Sequence, residues 1–135
     1  MTVSMQAQSA LRIAGRVADP EEPWPVVVHE PATGTEFARV VGGGLAEARR
    51  AVDAADAALT GWQDLADDAR AASLRRIADD LVRRDTARDL AIVISRETGK
   101  RLAEAEAEVR MSAGFFRWFA DVAAGRHGRT WSTVP

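Results

Sequence analysis

Three consecutive glycines, Gly42, Gly43 and Gly44, divide this chain into two stretches whose apolar residues follow different periods. Residues without a Cβ neither propagate a strand well nor start a helix strongly. The run therefore reads as a flexible joint between a β segment, 1–44, and a helical segment, 45–135. Before it, the stretches from Leu11 to Ala14, Val26 to His29 and Phe37 to Val41 are short and rich in β-branched residues, separated by proline, glycine and acidic turns. Three short strands are expected there. Pro20, Pro23 and Pro25 make the surroundings of Trp24 irregular, and Pro31, Ala32, Thr33 and Gly34 carry a turn signal between the second and third strands. The expected form is a hairpin or small β-meander.

Beyond the glycines the period becomes helical. Leu45, Ala48, Val52, Ala55 and Leu59 form one stripe, with Gly61 and Trp62 as its expected end. Asp67 or Asp68 is placed to cap a second helix bearing Leu74, Ile77, Ala78 and Leu81. Thr86 and Asp89 have capping-box spacing ahead of a third helix with Leu90, Val93 and Ile94, closed by Gly99. From Arg101 to about Gly125, a fourth helix aligns Leu102, Ala105, Val109, Ala113, Phe116 and Ala120. Phe115, Phe116, Trp118 and Phe119 spread around most of that helix, so one packing face cannot cover all four rings. They are the candidate partner interface. Distribution of the same rings between core and boundary layer is the competing reading. The fold class that follows is α+β, mainly helical, with an N-terminal β-meander and four helices in one domain or part of one.

Composition excludes several functions. The chain has 135 residues, 47% of them hydrophobic and 28% charged, which is ordinary for one globular domain. Its formal charge of -2 creates no broad field for nucleic acid or an anionic membrane. Arg75, Arg76, Arg83, Arg84 and Arg88 form the most basic run, but Asp79, Asp80, Asp85 and Asp89 interleave with them. Charges of opposite sign within a Debye length cancel at a distance, so no nucleic-acid partner is expected. No stretch approaches the roughly 18 apolar residues of a membrane span, and the N-terminus lacks a signal-peptide pattern. A soluble, cytoplasmic protein is the expectation, and the absence of cysteine is compatible with it.

The same absence removes any sulfur nucleophile or thiolate metal site. Ser73, Ser95 and Ser112 have no histidine in register, and His29 and His127 stand apart from any metal-ligand spacing. Glu104 and Glu108 lie one turn apart, but Arg101 and Arg110 make surface ion pairs the better account of them. Lys100 reads as a partner of a helix C-terminus, not as a catalytic amine. The three glycines lack the lysine of a Walker loop and the spacing of a dinucleotide turn. No catalytic, cofactor-binding or metal-binding residue is therefore assigned.

A family resemblance is nevertheless present. PATGTEFARV from Pro31, AVDAADAAL with Trp62, RAASLRRIADDLVRR, RDLAIVISRETGKRLAEAEAEV and FFRWFA occur in this order. The ordered set resembles the N-terminal region of NAD(P)-dependent aldehyde dehydrogenases, most closely the succinate-semialdehyde and betaine-aldehyde branches, from about Leu11 to Pro135. Two departures stand out. Glu30 occupies the position where the family usually has asparagine, and Gly42 to Gly44 replace a more polar lead into the first helix. Both are expected to loosen the local structure. The short loop of Glu97, Thr98, Gly99 and Lys100 lacks the aspartate with which some relatives help bind a monovalent cation.

The resemblance implies that these helices are the outer layer of a cofactor domain whose sheet, nucleophilic cysteine, glutamate base and NAD or NADP site follow later in a complete member. On that reading the chain alone has no activity and binds no cofactor. It is expected to be an N-terminal fragment or split subunit of an enzyme oxidising an aldehyde to a carboxylate, serving a complementary chain. The alternatives are a non-catalytic protein-binding or self-associating module, and a truncation product without a role of its own.

Overall fold

The computed structural model describes residues 11–125. Strands β1 (Leu11–Ile13) and β2 (Arg16–Ala18) pair antiparallel, with Leu11 opposite Ala18. The connection is two residues, Ala14 at φ 52° and Gly15 at φ 75°, the pair of positive φ angles that matches the twist of a tight hairpin. Strands β3 (Trp24–His29) and β4 (Glu36–Gly42) form a second antiparallel pair, with Val26 opposite Val40 and a register shift at Val28 and His29. The single meander expected from the sequence is thus corrected to two separate two-stranded sheets. Strand β2 was missed because Arg16, Val17 and Ala18 are too few to show an alternation.

Four helices follow: α1 (Leu45–Gln63), α2 (Asp67–Val82), α3 (Arg84–Thr98) and α4 (Leu102–Ala124). The expected α+β, mainly helical class is what the structure shows, and three helix ends differ in detail. Helix α1 runs through Gly61 and Trp62 to Gln63. Asp67 lies inside the first turn of α2, where it binds Arg70, while Ala66 is the N-cap. Helix α3 starts at Arg84 after Arg83, two residues ahead of Thr86, and has no side-chain cap. Gly99 closes α3 at φ 74°, as its position predicts.

Helix α4 is the centre of the assembly, packed against α2 on one side and α3 on the other. Two ion pairs fix how α2 runs along it: Arg75 with Asp121 at 2.9 Å and Asp79 with Arg117 at 3.1 Å. As the position rises on α2 it falls on α4, so the helices are antiparallel. Between them the buried residues are small, Ala71 and Ala78 from α2 and Ala113 and Ala120 from α4. On the other side Ala91 of α3 meets Ala105 and Val109, with Ala87 and Ile94 packed against them. No large side chain is fully buried among the described residues. Alanine methyls let helix axes approach closely, and the chain uses that proximity in place of interlocking leucines.

The β segment meets the helices at α3, through Glu30, and at α1, around the glycine run. Glu30 accepts hydrogen bonds from Nε and Nη2 of Arg96 at 3.3 and 3.0 Å, and that guanidinium lies 3.9 Å from the centroid of the Phe37 ring. The expectation that Glu30 loosens the turn is therefore overturned, because its charge is matched by α3. The second junction is the glycine run, which is packed closely instead of serving as an open linker. A Cβ on Gly42 would come within 2.3 Å of Trp24, and one on Gly43 within 2.8 Å of Leu11. The Trp24 indole N–H donates to the Gly43 carbonyl at 3.4 Å.

Candidate functional site

Helix α4 has two apolar stripes. One, Ala105, Val109, Ala113 and Ala120, is buried between α2 and α3, with Phe116 half-buried beside it. The other, Met111, Phe115, Trp118, Phe119 and Val122, stays exposed, at 57%, 59% and 53% for Phe115, Trp118 and Phe119. The steps of four, three and four residues from Met111 to Val122 place the stripe on one helix face. Trp118 and Phe119 meet edge to face with ring centroids 4.8 Å apart, the arrangement that aligns a positive ring edge with a negative face. Gly114 opens the surface between them, and Met111, Gly114, Phe115, Trp118 and Phe119 line a groove of about 560 Å³.

Of the four aromatic residues singled out in the sequence, the structure brings Phe115, Trp118 and Phe119 together on this face and turns Phe116 towards the helix layer. Met111 and Val122 extend the face and were not singled out. Their helical spacing from Phe115 and Trp118 was the available signal. Helix α1 presents a second uncovered stripe: Leu45, Val52 and Leu59 are exposed.

The polar candidates are engaged in local structure. Ser73, Ser95 and Ser112 donate to the backbone carbonyls of Ala69, Lys100 and Glu108 at 3.0, 2.7 and 3.0 Å. Glu104 binds Arg101, and Glu108 binds Lys100, not Arg110. His29 is exposed at the end of β3, and His127 lies outside the described residues. Among the described residues, no group of three or more acidic or histidine side chains is placed to hold a metal ion.

Glu47 is the one buried charged residue among those described. Its carboxylate accepts the Glu21 N–H at 3.1 Å and the Gly44 N–H at 2.8 Å. These bonds, the Glu21 amide foremost, hold its pKa below the usual carboxylate value, and Arg50 at 3.8 Å adds to the effect. The glycine-run amide is thus turned to a carboxylate of the chain itself, which closes the phosphate-cradle alternative at Gly44.

A β ribbon docked on an antiparallel helix layer, with apolar helix faces left open, is the form of a partial layer of an α/β enzyme domain. The profile described as Aldehyde dehydrogenase family matches residues 18–135, and the chain belongs to that family. It is 39% identical over 118 residues to glutarate-semialdehyde dehydrogenase of Pseudomonas putida, which covers 87% of this chain and 24% of that protein. The crystal structure of succinate-semialdehyde dehydrogenase from Burkholderia pseudomallei superposes with a TM-score of 0.83 and 37% identity, over 96% of this chain and 27% of that one. That of PnpE in complex with nicotinamide adenine dinucleotide gives a TM-score of 0.85 and 26% identity, over 94% and 26%. The chain therefore spans about a quarter of the length of these relatives. No helix among the described residues is long and apolar enough to cross a membrane.

Proposed function

We propose that this chain works as the N-terminal portion of an NAD(P)-dependent aldehyde dehydrogenase, supplying scaffold and a wall of the substrate entrance to a complementary polypeptide. The observation that carries this reading is the open apolar face of α4, Met111, Phe115, Trp118, Phe119 and Val122. Full burial of a large apolar side chain gains roughly 1.5–3 kcal/mol, and these residues, 42–59% exposed, forgo about half of that each. Five such residues together forgo about 4–8 kcal/mol, which reaches the lower part of a small domain's whole stability of about 5–15 kcal/mol. A covering surface is the natural remedy, and the remaining three quarters of the family fold is the occupant proposed.

On this reading the complementary portion supplies the cysteine nucleophile, the glutamate base and the dinucleotide site, and the assembled enzyme oxidises an aldehyde to a carboxylate. The relatives named for succinate- and glutarate-semialdehyde support a semialdehyde as the substrate class. NAD or NADP as cofactor, oligomeric assembly and a cytoplasmic address belong to the same proposal, as does the treatment of 1–44 and 45–135 as one partial domain. The test is complementation. The purified chain is mixed with the remaining part of the Pseudomonas putida relative, and aldehyde-dependent reduction of NAD(P)+ is followed. Turnover that appears only in the mixture supports the reading. A stable complex without turnover favours the binding-module alternative, in which the same aromatic face holds a protein partner or a second copy.

A further inference from the structure

A second surface lies between α3 and α4, and none of the roles above uses it. Arg84, Ala87 and Arg88 of α3 and Glu106 and Arg110 of α4 line a cleft of about 280 Å³. Eight of the fifteen arginines among the described residues lie within 4.0 Å of a carboxylate, and Arg12, Arg16, Arg49 and Arg76 do not. Arg84, Arg88 and Arg110 have no such partner among the described residues. The reason is visible in the pairing. Lys100 takes Glu108, the carboxylate nearest in sequence to Arg110, and Asp80 takes Arg83. Asp85 stands three residues before Arg88, a spacing at which helix side chains can meet, but neither it nor Asp89 lies within 4.0 Å of an arginine of the cleft. Neither lines the cleft.

Three arginines from two helices therefore line one concave surface together with a single acidic residue. Guanidinium is a planar fork of N–H donors that cannot lose its charge, and it matches the oxygens of phosphate and carboxylate in pairs. Like charges held together without counter-ions are unfavourable, and a bound anion removes that repulsion. Glu106 sets a minimum charge: a monoanion gains little where one carboxylate already stands, whereas a dianion balances the two charges left over. The positive end of α3, which begins at Arg84 without a side-chain cap, adds to the same field.

We infer that the α3–α4 cleft is a binding site for a small oxyanion carrying two or more negative charges, held by Arg84, Arg88 and Arg110. The inference is independent of the assembly proposed for α4. Phosphoryl compounds and dicarboxylates share this chemistry, and two probes separate them, pyrophosphate and malonate. Isothermal titration calorimetry of the whole chain at low ionic strength is expected to give one site per chain for at least one probe, and the tighter probe names the class. Arg88→Ala and Arg110→Ala are each expected to weaken binding about tenfold or more, the scale of a lost charge-assisted contact. Arg49→Ala, on α1, is expected to leave it unchanged. Glu106→Gln is expected to tighten binding, a gain that a misfolded variant does not produce. The inference is overturned if neither probe binds, if Arg49→Ala weakens binding as much as Arg88→Ala, or if Glu106→Gln fails to tighten it.

Discussion

Replacing Ala113 by leucine tests whether the helix layer is held by close approach of small residues. Ala113 has no exposed surface, and α4 is flanked there by α2 and α3. Leucine adds three carbon atoms where the neighbouring buried residues are themselves alanines. Two outcomes of opposite sign are possible in principle. Were space available, burying the added carbons at about 0.8 kcal/mol each would stabilise the fold by roughly 2 kcal/mol. With the seam closed, overpacking forces the helices apart or the side chain off its rotamer, at about 1–3 kcal/mol. The structure supports the second outcome, a sizeable share of a total stability of about 5–15 kcal/mol. Urea denaturation followed by far-ultraviolet circular dichroism measures it, with Ala72→Leu on the exposed face of α2 as the control, expected within about 0.5 kcal/mol of the parent. An Ala113→Leu midpoint equal to or above that of the parent protein would refute the close-packed seam.

Other consequences are equally direct. Glu47→Gln removes a carboxylate whose pKa is lowered in the folded state, chiefly by the Glu21 amide. The contribution of such a group is present above the ordinary glutamate range and lost as pH falls through the lowered folded value. The parent chain should therefore lose stability on acidification over that interval more steeply than the variant, as read from urea midpoints across pH. Gly99→Ala places a Cβ on a residue at φ 74° and should cost about 1–2 kcal/mol in the same denaturation assay. Phe116→Ala should destabilise the isolated chain by roughly 1–3 kcal/mol, since the ring is half-buried. Phe119→Ala, at an exposed position, should leave chain stability within about 0.5 kcal/mol. It should weaken binding to the complementary chain by about 1 kcal/mol or more, measured by the concentration needed to restore turnover.

The helices were legible because each carries a long periodic signal, and Gly99 announced the end of α3 through the one residue type suited to a positive φ. What escaped the sequence was decided by contacts distant along the chain. Glu30 looked like a loosening substitution until Arg96, 66 positions away, was placed beside it. The glycine run looked like a hinge because its reason, the Trp24 ring and the Glu47 carboxylate, lies in other elements. The α4 aromatics were recognised as too many for one face, but which of them turns inward depends on where α2 and α3 sit. The α3–α4 cleft was hidden for a related reason. Along the sequence Arg84 and Arg88 stand beside Asp85 and Asp89, and only the structure shows which of these residues line the cleft.

The alanine seam between α2 and α4 carries a further consequence. A row of methyl groups is nearly smooth, and on each helix its members recur seven residues apart, Ala71 and Ala78 on one and Ala113 and Ala120 on the other. Slid by two turns, such rows would still offer alanine to alanine in part, so the contacts that bring the helices close say little about alignment. Alignment falls to larger features, the half-buried Phe116 ring and the two exposed ion pairs, Arg75 with Asp121 and Asp79 with Arg117, in which the antiparallel helices offer one charge of each sign in opposite order. Pairs of this kind add little to stability, yet a displaced helix separates them. They act as the notches of a ratchet: weak against pulling apart, decisive about where the sliding stops.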